Sequence, residues 1–196
     1  EKESKFSIIG LGKLGGWELN YCSDIDLIYI YSSDDGETSG IETDGKKKNI
    51  ITLHEYYTKL ADLINKFIGS QTEEGNVFRL DLRLRPEGRS GDMANSLRSM
   101  EIYYESWGQT WERQMLIKAK PVAGDKELGG CFLETIKPFI YRKHLDFQAI
   151  EEIKEMKEKI NLSVAANGGT YNNVKLGYGG IREIEFFTQT LQLIYG

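Results

Sequence analysis

Hydrophobic and polar positions alternate along the first part of the chain with the two-residue period of β-strands. The alternation covers residues 25–31 and 77–85, and a shorter apolar run at 6–9 leads into a glycine-rich turn. Between these strands, apolar side chains recur every three or four residues over 50–68, which predicts an amphipathic helix. Residues 32–48 are polar and contain three glycines, so they are predicted to form a loop.

The second part of the chain has the spacing of helices instead. Predicted helices, each with apolar side chains at three- and four-residue intervals, cover 96–106, 111–118, 128–141, 147–164 and 181–194. Strands followed by helices predict an α+β fold, with a small mixed sheet and helices followed by a mainly helical segment. We expect one domain over residues 1–120, and the start of a helical domain truncated at its C-terminus over 121–196.

The composition is that of a folded protein without a basic surface for nucleic acid or a membrane. The chain has 25 Lys+Arg against 30 Asp+Glu, a net charge of −5, and 40% hydrophobic residues, which exclude a disordered chain. No run approaches the ~20 apolar residues of a membrane span. Two cysteines, Cys22 and Cys131, cannot build a disulfide framework and indicate a reducing, intracellular setting. Because there is no initiator Met or signal peptide, we expect a piece of a longer protein.

Two carboxylates stand at the beginning of the strand over 25–31. Asp24 and Asp26 are two residues apart, so their side chains point to the same face of a strand. Aspartate is a poor strand former, and neighbouring like charges repel unless a cation lies between them. Mg²⁺ prefers such oxygen ligands. Taken alone, the pair is also compatible with two solvated aspartates at an exposed strand start.

The run over 77–85 places charged side chains on one face and leucines on the other. The charged face carries one carboxylate, Asp81, flanked by Arg79, Arg83 and Arg85. Guanidinium groups match phosphate geometry, so this face suits an anion held beside a metal. If Asp81 lies next to Asp24 and Asp26, the three carboxylates can hold one or two Mg²⁺ ions for a phosphoryl or nucleotidyl displacement. The alternative is a half-exposed strand whose arginines pair with acids across it.

A glycine turn follows the first predicted strand. We expect Gly15 and Gly16 to lie at a helix start, where exposed backbone N–H groups bind phosphate, with Lys13 adding a positive charge. This turn, the Asp24/Asp26 pair and the lone Asp81 together have the layout of polymerase-β-like nucleotidyltransferases.

Several long segments resemble one family, the bacterial glutamine synthetase adenylyltransferases. The segments are GLGKLGGWELNYCSDIDLIYIY (10–31), FRLDLRLRPEGRSG (78–91), GQTWERQMLIKAKPVAGD (108–125), PFIYRKHLDF (138–147) and VKLGYGGIREIEFFTQTLQLIYG (174–196). Family members carry two nucleotidyltransferase domains. One removes AMP from a tyrosine of glutamine synthetase by phosphorolysis, giving ADP, and the other attaches AMP from ATP. TWERQMLIKAKPVAGD and KLGYGGIREIEFF are similar to the N-terminal, adenylyl-removing copy.

The resemblance implies a specific site and specific partners. It implies that Asp24, Asp26 and Asp81 are the catalytic metal ligands for Mg²⁺, with Mn²⁺ as a substitute, and that Gly15 and Gly16 form the nucleotide-phosphate turn. ATP or ADP is then a substrate or product, and glutamine synthetase and the PII signal protein are the partners, in the cytoplasm. Two alternatives stay open: adenylylation of glutamine synthetase with ATP, and a non-catalytic module that binds nucleotide or PII.

Overall fold

The structure, a computed structural model, describes residues 3–21, 23–43, 45–141, 147–166, 173–175, 177 and 179–196, so Cys22 lies outside the described residues. The chain divides into two units by its contacts. The first contains Glu1–Trp107 and Lys118–Ile136, and the second contains Gly108–Ile117 and Lys137–Gly196. The domain boundary that we expected at residue 120 stays a prediction.

In its described residues the first unit contains seven strands, and most of its helices lie between them along the chain. The strands are β1 (Phe6–Gly10), β2 (Ile25–Tyr31), β3 (Ile41–Thr43), β4 (Lys46–Lys48), β5 (Leu80–Asp81), β6 (Ala94–Ser96) and β7 (Lys120–Gly124). The helices are α1 (Gly12–Gly15), α2 (Leu53–Gly69), α3 (Leu97–Ser106) and the larger part of α5 (Lys126–Ile140). The predicted strands at 6–9 and 25–31 and the predicted helices at 50–68 and 96–106 are confirmed.

Five of these strands form one mixed sheet. β1 is antiparallel to β2 on one side and to β7 on the other. β5 and β6 are both parallel to β2, β5 beside its first residues and β6 beside its last. β3 and β4 form a separate hairpin within the segment that was predicted to be a loop. The small mixed sheet with surrounding helices confirms the predicted α+β class.

Strand β2 is buried on both faces, which fixes the position of the residues that precede it. Leu27, Tyr29 and Tyr31 face α2, and the rings of Tyr31 and Tyr57 stack at 4.9 Å between centroids. Ile28 and Ile30, on the opposite face, are also fully buried. Burial of every residue of this strand except Asp26 holds it firmly in the sheet, because each buried apolar side chain contributes about 1.5–3 kcal/mol.

The predicted strand over 77–85 is wrong in length, because β5 contains only Leu80 and Asp81. The Asp81 Oδ1 atom accepts a hydrogen bond from the backbone N–H of Arg83 at 2.9 Å. A side chain that captures a backbone donor two residues later forms a turn and ends strand pairing. Alternation of side chains therefore stops at Asp81, and residues 82–91 form a tight loop.

The second unit is helical in its described residues. It contains α4 (Thr110–Leu116), the end of α5, α6 (Phe147–Ala166) and α7 (Ile181–Tyr195), which confirm the four predicted helices of this region. An ion pair of 2.9 Å between Lys157 Nζ and Glu183 Oε1 joins α6 to α7. Among the helices of the described residues, none combines the length and apolar character needed to cross a lipid bilayer.

Candidate functional site

The sheet brings two of the three predicted carboxylates to neighbouring positions. β2 and β5 are parallel, and their register pairs Asp26 directly with Asp81. The backbone N–H of Ile25 donates to the carbonyl oxygen of Arg79 at 2.9 Å, which extends the pairing toward Asp24. The lone acid of the second segment therefore lies beside the acid pair of the first.

Asp26 is the carboxylate without a cationic partner. Within the described part of the chain, its side chain makes no hydrogen bond or ion pair. Burial, followed by the negative charges of Asp81 and Asp24, raises the pKa of Asp26 to about 6, and Arg83 opposes this rise. An unpaired, half-buried carboxylate beside two others concentrates negative charge at the beginning of β2.

The other two carboxylates are each held by an arginine. Arg79 Nε lies 2.7 Å from Asp24 Oδ1, and the Asp24 side chain is 46% exposed. Arg83 forms a two-pronged contact with Asp81, whose side chain is only 16% exposed. These hydrogen bonds from Arg83 are the main reason that the pKa of Asp81 is lowered, and the charge of Arg89 adds to the effect. The Arg79–Asp24 pair has the form of the structural alternative that the sequence left open, whereas Arg83 pairs with an acid of its own segment.

A pocket of about 460 Å³ opens beside these ion pairs. Its lining combines carboxylates, leucines and guanidinium groups: Asp24, Arg79, Leu80, Asp81, Leu82, Arg83, Arg85 and Arg89. Four arginines against two carboxylates give the pocket a positive balance, which suits a phosphate-bearing ligand. Arg79, Arg83 and Arg85 all line this pocket, and so does Arg89, while their role toward an anion stays a prediction.

The glycine turn is placed differently from the expectation. α1 ends at Gly15, so the prediction that Gly15 and Gly16 begin a helix is wrong. Their N–H groups donate to the carbonyl oxygens of Leu11 and Gly12 at 3.0 and 2.9 Å, inside the turn. The described residues that line the pocket do not include Gly15, Gly16 or Lys13. The phosphate role of these three residues stays a prediction.

Gly12, at the start of α1, is the residue of the turn that meets the carboxylates. A Cβ atom at Gly12 would lie 3.1 Å from Asp26 Oδ2, and Gly12 has a φ of +50°. The backbone N–H of Leu11 donates to the carbonyl oxygen of Asp26 at 2.9 Å and fixes this approach. Sequence reasoning missed Gly12 and Arg89. The first lies in the glycine turn, and the second lies in the turn segment that follows Arg85.

The donor set fits a hard divalent cation in its chemistry. Three carboxylates that influence one another supply oxygen ligands, and in the described part of the chain the Asp26 side chain forms no ion pair. Among the described residues, no three acidic, His or Cys side chains are already arranged as a metal-binding group. Asp24 and Asp81 are paired with Arg79 and Arg83 instead. A cation held by all three carboxylates requires those two pairs to open.

The raised pKa of Asp26 predicts a pH-dependent stability for the metal-free chain. The pKa is about 3.9 in an unfolded chain and about 6 here, so folding favours the protonated acid. The contribution is therefore most favourable below about pH 4 and is lost as the pH rises through 6. Urea unfolding in a chelator should find Asp26→Asn more stable than the wild type at neutral pH, by about 1–2 kcal/mol once solvent screening is allowed for.

The same measurement at about pH 4 provides the comparison. There the two proteins should be equally stable, because the wild-type acid is already protonated. Asp62→Asn, an exposed acid on α2, is the matched control and should change stability little at either pH. A gain from Asp26→Asn that is the same at both pH values would contradict the assignment of the raised pKa.

Comparison with known sequences finds two families. A profile of glutamate-ammonia ligase adenylyltransferase matches residues 1–135 of this chain. A profile of GlnD PII-uridylyltransferase matches residues 154–196, which cover most of α6 and all of α7.

Curated relatives are similar over nearly the whole chain. Proteins named "Bifunctional glutamine synthetase adenylyltransferase/adenylyl-removing enzyme" are 44% identical in Pseudomonas aeruginosa over 189 residues and 46% identical in Mannheimia haemolytica over 191 residues. Each match covers 96% of this chain. The relative in Nitrosococcus oceani is 44% identical over 195 residues. The chain spans only 18–19% of the length of these relatives.

Proposed function

Because the chain belongs to the glutamate-ammonia ligase adenylyltransferase family, we propose that it is a nucleotidyltransferase unit that removes AMP from an adenylylated tyrosine of glutamine synthetase. The observation that carries this proposal is the register of β2 and β5, which pairs Asp26 with Asp81 beside the arginine-lined pocket. The segments that are similar to the adenylyl-removing copy, TWERQMLIKAKPVAGD and KLGYGGIREIEFF, support removal over attachment.

The proposed reaction is a phosphorolysis. An oxygen of inorganic phosphate attacks the phosphorus of the tyrosine-bound AMP, and a new P–O bond gives ADP. The bond between that phosphorus and the tyrosine oxygen breaks, and the phenolate leaves with the bonding electrons and takes up a proton. Because a phenol has a pKa of about 10, it leaves readily without a strong general acid. The chain must then mainly hold two anionic groups together, as in other phosphoryl transfers.

The carboxylates and arginines have separate tasks in this proposal. Asp24, Asp26 and Asp81 hold the divalent cation, for which Mg²⁺ is our assignment and Mn²⁺ a substitute. When bound, such a cation neutralises charge on the transferring phosphoryl group. The arginines of the pocket lower the repulsion that the incoming phosphate meets from the three carboxylates. Gly15, Gly16 and Lys13 remain our candidates for contacts to the nucleotide phosphates.

The name of the relatives includes adenylylation as well as removal, and this favours a second candidate function. The same carboxylates would serve transfer of AMP from ATP to a glutamine synthetase tyrosine. We also propose that PII regulates the reaction in the cytoplasm. The match of residues 154–196 to the GlnD PII-uridylyltransferase family supports the choice of PII, since the name of that family refers to PII.

The test uses adenylylated glutamine synthetase, the 196-residue chain and Mg²⁺. With inorganic phosphate present, we expect release of ADP and loss of AMP from the tyrosine. With ATP and unmodified glutamine synthetase, we expect no transfer. Transfer that depends on ATP, without phosphate-dependent ADP release, would establish the second function instead. Nucleotide binding without either reaction would favour the non-catalytic module.

A further inference from the structure

Of the four arginines that line the pocket, three already have partners. Arg79 is paired with Asp24, and Arg83 is paired with Asp81. Arg85 donates to backbone carbonyl oxygens within its own loop. A guanidinium whose N–H groups are taken by such partners has fewer of them left for a ligand.

Arg85 holds the loop over residues 82–91 in its turned shape. Its guanidinium donates to the carbonyl oxygens of Leu82 at 2.6 Å, Gly91 at 3.1 Å and Arg89 at 3.1 Å. The chain reverses at Glu87 and Gly88, which both have positive φ, of +57° and +60°. The bond to the Arg89 carbonyl fixes the backbone from which the Arg89 side chain reaches the pocket.

Arg89 is the remaining arginine, and it lines the same pocket as Asp81, on whose carboxylate its charge acts. Within the described part of the chain, its guanidinium makes no hydrogen bond or ion pair. Its five N–H donors therefore stay available, in the planar arrangement that matches two oxygens of a phosphate. In the metal-free chain its charge is also not cancelled by a paired carboxylate, so it attracts a dianion there more strongly than Arg79 or Arg83 does.

We propose that Arg89 binds the phosphate that attacks the tyrosine-bound AMP, in the pocket beside Asp81. This inference rests on the proposed function, and it adds the residue that binds inorganic phosphate in that reaction. The terminal phosphates of ATP share the chemistry of inorganic phosphate, so the experiment must separate the two ligands.

The kinetic test compares Arg89→Gln with the wild-type chain. We expect the KM for phosphate to rise about tenfold, the size of one charge-assisted contact at a solvent-open site, while the KM for adenylylated glutamine synthetase stays unchanged. Arg89→Lys should restore part of the affinity, because it keeps the charge and loses the planar donors. Arg98→Gln removes the same charge from the exposed face of α3, outside the pocket, and should have no effect.

Two kinetic outcomes would overturn the inference. An unchanged phosphate KM in Arg89→Gln would show that another group binds the phosphate. Weaker inhibition of phosphorolysis by ATP in Arg89→Gln than in the wild type, without a rise in the phosphate KM, would assign Arg89 to the nucleotide tail instead.

A second readout does not depend on activity and separates this inference from the proposed function. The chain is labelled with phenylglyoxal, which reacts with arginine side chains, and the labelled positions are located by mass spectrometry. Inorganic phosphate should slow the labelling of Arg89 several-fold, whereas chloride at the same ionic strength should not, and Arg98 should be labelled equally in both. Protection of Arg89 in a chain without phosphorolysis would keep the anion site and reject the proposed reaction. Labelling of Arg89 that phosphate leaves unchanged would reject the site.

Discussion

Asp26→Asn is expected to lower phosphorolysis about a thousandfold while leaving the chain folded and, without metal, more stable than the wild type. The loss reflects a charged ligand that contributes several kcal/mol to the transition state through the cation it holds. The gain in stability reflects removal of a half-buried negative charge that has no cationic partner in the described residues. Few substitutions combine these two effects, because most that abolish activity also destabilise the fold.

The test measures activity and stability on the same samples. Initial rates of ADP release are measured at saturating phosphate and Mg²⁺ for wild type, Asp26→Asn and Asp62→Asn, with urea unfolding of the same samples. Asp62→Asn removes an equal charge from the exposed face of α2 and should keep the wild-type rate. An Asp26→Asn chain that keeps more than about a tenth of the wild-type rate would remove Asp26 from the catalytic group.

The second large effect is expected at Gly15. A methyl group there would overlap the carbonyl oxygen of Lys118 and lie 2.5 Å from that of Gly10. Both obstacles are backbone atoms, which cannot rotate away, so α1 and the chain leading into β7 must separate. We expect Gly15→Ala to reduce the free energy of unfolding by about 3 kcal/mol or more, measured by urea unfolding.

Gly16 provides the matched comparison one residue later. Gly16 has an ordinary right-handed helical conformation, with φ of −78° and ψ of −3°. Its added methyl would meet the Lys118 side chain at 3.1 Å and the carbonyl oxygen of Gly12 at 3.2 Å, contacts that a shift of a few tenths of an ångström relieves. Gly16→Ala should therefore cost less than about 1 kcal/mol, and its kinetics then test the predicted phosphate contact without a folding defect. Equal losses of stability at both positions would contradict the packing role assigned to Gly15.

A strand whose side chains are mostly buried could be predicted from the sequence. β2 was predicted to the residue because its side chains are buried on both faces of the sheet, where hydrophobic character decides the structure. β6 and β7 were missed for the opposite reason. β6 is only Ala-Asn-Ser, and β7 contains Pro121 and Gly124, which normally argue against a strand. β7 accommodates Pro121 because it lies at the edge of the sheet.

The sequence also indicated some residues of the candidate site and not others. The carboxylates were found because aspartates are unusual in strands, and β2 and β5 bring Asp26 and Asp81 into register. The tasks of the arginines depend on the loop over residues 82–91, where alternation no longer applies. Arg85 was predicted to face an anion, yet its guanidinium donates to three carbonyl oxygens of the loop. No pattern in the sequence reveals that this loop turns Arg89 back toward Asp81.

The central claim is that Asp24, Asp26 and Asp81 together hold a divalent cation. Crystals of the chain soaked in Mn²⁺ test it directly, because the anomalous signal of manganese locates the ion independently of any assay. We expect a peak within coordination distance of oxygen atoms from all three aspartates, with Arg79 and Arg83 moved away from Asp24 and Asp81. Crystals that bind no manganese at these residues, with both arginine pairs intact at saturating Mn²⁺, would contradict the claim.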